Sequence, residues 1–324
     1  MSRKMDRRQF IKTVGGAAAG LAAGRLVPAG EEKKTVKGSK RSRVLRIAHL
    51  TDIHIQPEKK GGEWTASCLH HIQNQKDRPD VIFNGGDTIM DSLHADRART
   101  KLQWDLWIKI VKNECSIPVE NCIGNHDVWG WDKKKSGAKA TDPLYGKKWA
   151  LEALGLSKRY RSFNRAGWHF IVLDSTHPHE GNVYTARLDE EQFSWLASDL
   201  KKADEKTPVC ILSHIPILCA CVFFDGENEK SGNWVVPHRW MHIDARRIKD
   251  LLYKHPNVKL CLSGHVHLQD RVDYNNITYL CNGAVCGGWW KGNYQETPPG
   301  YALINLNSDG TFDHEYVTYG WKEI

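Results

Sequence analysis

Five stretches of this 324-residue chain carry side chains that bind metal ions or move protons. They are Asp52-Ile53-His54, Gly86-Asp87, Gly124-Asn125-His126-Asp127, Ser213-His214 and Gly264-His265-Val266-His267. Asp and Asn offer oxygen to hard cations, whereas His can ligate a metal or transfer a proton. Imidazole nitrogen mixed with carboxylate and amide oxygen suits borderline divalent metals such as Mn, Fe, Zn or Co. The set is too rich in nitrogen for calcium and lacks the thiolates of structural zinc. With His126 set aside, Asp52, His54, Asp87, Asn125, His214, His265 and His267 are more groups than one ion needs. They fit two ions sharing a carboxylate, a pair normally ~3.5–4 Å apart.

Elements that could bring these residues together are visible on either side of them. Each stretch follows an apolar run with the form of a buried strand: 44–50, 80–84, 117–123, 209–212 and 258–262. Helical spacing occupies 64–75, 95–112, 188–203 and 245–253. In 95–112 the predicted apolar side is Leu102, Leu106 and Ile110, with Trp104, Trp107 and Ile108 adding to it. In an open α/β sheet the strand ends converge on one edge, where ligands bind. A hairpin is expected over 160–163 and 168–174. Short strands follow at 277–280, 301–306 and 314–318, the last two joined by an Asn307-Ser308-Asp309-Gly310 turn. The expectation is one α/β domain over 44–324 with a β-rich closing segment from about 271. Three irregular segments, 128–149, 218–242 and 286–300, are placed to roof the site. Trp289 and Trp290 in the third are candidate substrate-stacking residues.

The ordered set Asp-x-His, Gly-Asp, Gly-Asn-His-Asp, His and Gly-His-x-His resembles the calcineurin-like metallophosphoesterases over most of 44–270. The resemblance implies a four-layer α/β (α+β) sandwich, two mixed sheets face to face with helices outside. Carried over by position, Asp52, His54 and His267 would hold the first metal, Asp87 would bridge, and Asn125, His214 and His265 would hold the second. His126 would be the catalytic acid, oriented by Asp127. The nucleophile would be a water bridging the ions, which loses its proton near neutral pH and attacks phosphorus in line. Purple acid phosphatases carry Gly at the place of His54 and a Tyr at the place of Met90. Protein phosphatases carry Glu at the place of Asp127 and an Asp-Arg-Gly where this chain has Thr88-Ile89-Met90-Asp91. The pattern is nearer the bacterial cyclic-nucleotide phosphodiesterase branch. A phosphodiesterase acting on a small-molecule phosphoester is expected. The alternatives are a phosphomonoesterase with the same site and a catalytically silent metal-binding protein.

The net charge of +8 does not indicate nucleic-acid binding, because it is local. Residues 1–46 hold 13 Lys/Arg against three acids, and the remainder holds 33 against 35. Asp6-Arg7-Arg8-Gln9-Phe10-Ile11-Lys12 precedes a Gly/Ala-rich stretch to Leu26, interrupted at Arg25, with Val27-Pro28-Ala29 as a small-residue cleavage region. This resembles a twin-arginine signal over 1–29, followed by a charged linker over 30–43, and implies export to the periplasm or beyond through that machinery. The stretch is too short and too weakly apolar for a permanent membrane span. An apolar fraction of 40% with 13 Trp excludes a disordered chain. Nine cysteines, an odd number scattered through apolar runs, read as buried free thiols rather than a disulfide framework.

Overall fold

A computed structural model describes residues 41–180 and 182–322. The expected signal over 1–29 and nearly all of the linker lie outside the described residues. The first strand, β1 (Arg43–Leu50), is followed by helix α1 (Gly61–Gln73), β2 (Val81–Asn84), α2 (Arg97–Glu114) and β3 (Val119–Asn121). Strands β1, β2 and β3 run parallel, as βαβ connections require. Two short helices, α3 (Lys133–Ser136) within the first irregular segment and α4 (Lys148–Ala153) starting at its end, lie where no helix is expected from the sequence.

The chain then builds a second sheet. An antiparallel pair, β4 (Arg161–Arg165) and β5 (Trp168–Leu173), confirms the predicted hairpin. A small hairpin, β6 (Thr176–His179) with β7 (Asn182–Ala186), stands apart from both sheets. Helix α5 (Glu190–Lys202) is capped by Asp189, which accepts from the Gln192 amide at 2.8 Å. There follow β8 (Val209–Ser213), α6 (Ala245–Leu252), β9 (Val258–Ser263), β10 (Asp270–Tyr274) and β11 (Ile277–Cys281). The second sheet has the order β10-β11-β9-β8-β5-β4, with an antiparallel strand at each edge.

The closing strands β12 (Gly300–Asn307) and β13 (Phe312–Thr318) return to the first sheet, which reads β13-β12-β1-β2-β3. The closing segment is therefore no appendage: β10 and β11 complete one sheet, β12 and β13 the other.

Alternation along the strands explains the layers. Ile47, Phe83, Phe170, Leu212, Leu262 and Ile304 meet between the sheets. Ala48, Leu50 and Ile82 point the other way, against Leu69 and Ile72 of α1 and Trp104 and Trp107 of α2. Ile171 and Ile211 face Leu196 and Leu200 of α5 and Ile248 and Leu252 of α6. Strands covered on both faces read as unbroken apolar runs, which is why the sequence shows them. The predicted face of α2 needs correction. Leu102 and Ile108 are exposed, and the buried stripe is Thr100, Gln103, Trp104, Trp107 and Ile110. Trp104, Trp107 and Ile110 are buried as expected, and Leu106 is half-buried.

Candidate metal centre

The five motifs follow β1, β2, β3, β8 and β9, and the carboxyl ends of these strands meet at one edge shared by both sheets. Five of the seven candidate ligands sit at left-handed backbone angles: Asp52, His54, Asp87, His265 and His267 have φ of 53°, 47°, 51°, 73° and 61°. Each such residue costs about 1–2 kcal/mol relative to an ordinary conformation. Strain concentrated this way marks a functional site. It also breaks the strand pleat, so both members of Asp52/His54 and of His265/His267 can turn to the same side.

Two glycines allow the motifs to pack this closely. A Cβ on Gly124 would stand 2.1 Å from Asp87 Oδ1, and one on Gly264 would stand 2.3 Å from Asp52 Oδ2. Backbone bonds cross-link the loops. The Asp52 and His54 amides donate to the Gly86 and Asp87 carbonyls, both at 3.0 Å, and the Gly264 amide donates to the His214 carbonyl at 3.0 Å. The Asp87 carboxylate accepts from the His126 amide at 2.7 Å, and Asp52 accepts from the His265 amide at 2.8 Å.

All seven candidate ligands converge. His54 Nε2 and His267 Nε2 are 3.2 Å apart, and Asp52 Oδ1 lies 3.8 Å and 3.5 Å from them. On the other side His214 Nε2 stands 3.1 Å from Asn125 Oδ1 and 3.1 Å from Asp87 Oδ2. Asp87 Oδ2 is also 3.7 Å from His54 Nε2, so one oxygen faces both halves. Atoms bound to one ion at about 2.1 Å stand about 3.0–3.4 Å from each other, close to these separations. Asp52 Oδ1 is buried with no hydrogen-bond partner among the described residues, a polar atom left for a cation. The residues fit divalent metal.

Ring orientation is set from behind. His214 Nδ1 donates to the Gly85 carbonyl at 2.9 Å and His267 Nδ1 to the Gly287 carbonyl at 2.7 Å, leaving Nε2 of each facing inward. Burial alone would raise the Asp87 carboxyl, but His214, His126 and His54 outweigh it and hold it well below the usual range. Burial lowers His214, yet Asp87 dominates and pushes it up to about 9, a pull for positive charge that a bound cation would satisfy in place of the proton. Burial takes His265 down to about 3, the neutral state a metal ligand needs.

His126 is half-buried beside this cluster, its ring edge-on to His54 with centroids 4.8 Å apart. The expected Asp127 partnership is not what the structure shows. The Asp127 carboxylate accepts from the backbone amides of Gly124 (2.9 Å), Thr88 (2.9 Å) and Ile89 (3.3 Å), tying the second motif to the third. The carboxylate beside His126 Nδ1 is Asp91, at 3.9 Å. Asp91 is held in turn by His94, whose Nδ1 lies 2.9 Å from it.

A cavity of about 170 Å³ opens over the cluster, walled by Tyr184, Arg239, Trp240, Trp289 and Tyr294. Trp289 is at the site: its ring lies 4.2 Å from His54, 4.7 Å from His267 and 5.4 Å from His126, centroid to centroid. Trp290 is not. It is buried, and its indole N–H donates to the His54 carbonyl at 2.9 Å. Of the three candidate roofs, 218–242 and 286–300 line the cavity, while the segment from Val128 packs Trp129 and Trp149 into the core. Tyr184 and Arg239 were not legible as site residues: aromatic enrichment around 217–242 was the one signal near Arg239, and none marked Tyr184.

The calcineurin-like phosphoesterase family model matches residues 45–269. A 3',5'-cyclic-nucleotide phosphodiesterase of Nostoc sp. is 26% identical, the match covering 83% of this chain and 90% of that protein. The 3',5'-cyclic adenosine monophosphate phosphodiesterase CpdA of Escherichia coli is 27% identical over 84% of this chain and 88% of its own. Among solved structures, a dimetal phosphatase from Danio rerio superimposes with a TM-score of 0.59 at 13% identity, covering 86% of this chain and 100% of that one, which supports the fold. With its motifs gathered on one sheet edge, the chain belongs to the calcineurin-like phosphoesterase family and is a metal-dependent phosphoester hydrolase.

Proposed function

We propose that the protein hydrolyses phosphodiesters with two divalent ions, one held by Asp52, His54 and His267, the other by Asn125, His214 and His265, with Asp87 between them. The observation that carries this is the sharing of Asp87: it groups with His54 and His126 on one side and with His214 and His265 on the other. Divalent ions, when bound, neutralise charge on the phosphoryl oxygens and lower the pKa of water. The chain supplies the remainder. His126 stands beside the cluster at the cavity floor, where Nε2 can protonate a leaving oxygen while Asp91 faces Nδ1. Arg239 adds a cation to the wall, and Trp289 and Tyr184 give apolar surface to an ester group. A diester has a second ester group to use that surface. Similarity to cyclic-nucleotide phosphodiesterases supports the diester reading. The Arg7-Arg8 leader supports an exported enzyme.

The test is hydrolysis of bis-p-nitrophenyl phosphate against p-nitrophenyl phosphate by the full chain, chelated and then resupplied with Mn²⁺. Diester preference is expected, with loss of about 10²–10⁴-fold in His126→Ala. A monoester preference would replace diester with monoester, and no turnover of either would sink the catalytic reading.

A further inference from the structure

We propose that Cys286 supplies a thiolate to the ion held by Asp52, His54 and His267, making that half of the centre a nitrogen, oxygen and sulfur site. This rests on the metal reading above and adds to it a ligand that none of the five motifs contains.

Three observations place the sulfur there. First, Cys286 Sγ forms a group with one ring nitrogen each of His54 and His267, all within 4.8 Å of one another and all on buried residues. No other cysteine among the described residues falls into such a group. An ion bound at about 2.1 Å to nitrogen and 2.3 Å to sulfur would bring these atoms to about 3.5 Å. The closure needed is about 1.3 Å at most, within reach of a small χ1 adjustment.

Second, the segment carrying the thiol is fastened to the backs of the same ligands. The Cys286 amide donates to the Asp52 carbonyl at 3.3 Å, and the Trp290 indole donates to the His54 carbonyl at 2.9 Å. His267 Nδ1 donates to the Gly287 carbonyl at 2.7 Å. The thiol itself is weakly committed, its hydrogen bond to the Gly287 carbonyl stretched to 3.5 Å. Third, and independently of the cysteine, this half holds a polar atom left for a cation. Asp52 Oδ1, 3.5 Å from His267 Nε2, is buried without a hydrogen-bond partner among the described residues.

The other half, Asp87 with His214 and His265, gathers no sulfur among the described residues. The two ions would therefore sit in unlike sites. Metal entry would form one metal–sulfur bond and release the thiol proton to solvent, with no electron transferred. A soft ligand biases the first position toward Zn, Fe or Co and away from Mg or Mn.

The experiment loads full-length protein with two equivalents of Co²⁺ and records its absorption. Visible ligand-field bands report occupancy, and a near-ultraviolet sulfur-to-cobalt charge-transfer band reports the thiolate. Cys286→Ser should lose the second and keep the first, with zinc affinity at one site falling about 10–100-fold. Cys281→Ser, a buried neighbour in the chain, should keep both. X-ray absorption of the zinc-loaded wild type should show sulfur at about 2.3 Å and needs no variant. Ligand-field bands without a charge-transfer band, or a band that survives Cys286→Ser, would overturn the thiolate and leave the metal centre standing. Absence of both bands would overturn the centre and the thiolate together.

Discussion

Gly124→Ala adds a single methyl and should disable the centre. The residue has no left-handed φ, so its backbone tolerates a side chain, and the whole effect is steric. The new carbon would meet Asp87 Oδ1 at 2.1 Å and the Asp87 amide nitrogen at 2.2 Å. Unbonded carbon and oxygen do not approach within about 3 Å without strain of the overpacking kind, ~1–3 kcal/mol. Relief therefore requires Asp87 and Gly124 to part by about 1 Å. Asp87 Oδ1 is bonded to the His126 amide at 2.7 Å, and Oδ2 is 3.1 Å from His214 Nε2. Such a shift detaches the shared carboxylate from one half and moves His126 with it. A 1 Å misplacement costs about 10²-fold in rate, equivalent to about 2.7 kcal/mol of barrier. We expect kcat/KM to fall at least about 100-fold and bound metal to drop toward one ion per chain, read by mass spectrometry after dialysis. The control is Gly137→Ala, where φ is 67° and the added carbon meets nothing within 4 Å. It should lose about 1–2 kcal/mol of stability and no activity. If Gly124→Ala kept two ions and activity within tenfold, the close approach would not be what assembles the centre.

Asp91→Asn should lower kcat about tenfold with KM and metal content unchanged, because Asp91 approaches His126 Nδ1 and touches no candidate ligand. An equal loss of metal would assign it to the fold instead. Asp127→Ala should act on stability, leaving three buried amides unpaired at about 1–3 kcal/mol each, visible in urea unfolding, with Asp127→Asn recovering part of the loss. Acid should destabilise the protein through His49. Burial takes this imidazole down to about 3 from an ordinary 6.5, so the unfolded chain binds more protons between those values. Stability present above pH 6.5 is lost as pH falls, about 2 kcal/mol between pH 7 and 5. His49→Gln should flatten the slope by that amount in unfolding titrations at the two pH values, and an unchanged slope would place the acid sensitivity elsewhere.

Residue type announced what arrives at the sheet edge, and backbone geometry decided which atom turns inward. The strands under Asp52, Asp87, His214 and His265 were readable because both faces of both sheets are covered, which makes them apolar throughout. Strand β10 was missed for the opposite reason. It is an edge strand of alternating charge, Asp270-Arg271-Val272-Asp273, joined to β11 through Asn275 and Asn276 at φ of 52° and 60°. That Asn-Asn pair was its one local signal. The errors at the centre share a cause of another kind. Asp127 is adjacent to His126 in sequence, yet its carboxylate points back to Gly124 and Thr88, and Asp91 comes from a different loop. Trp289 and Trp290 are neighbours with φ of 59° and 62°, and one indole lines the cavity while the other anchors His54. Cys286 resembled the other buried cysteines in composition, and only the turn that presses its loop onto Asp52 and His267 separates it from them. In each case successive residues divide between opposite sides of a left-handed or sharply turned backbone. Spacing along a strand is informative because the pleat is regular, and this centre is built where the pleat has been broken. The left-handed residues that confuse the reading are therefore the same feature that lets one sheet edge gather seven candidate ligand groups.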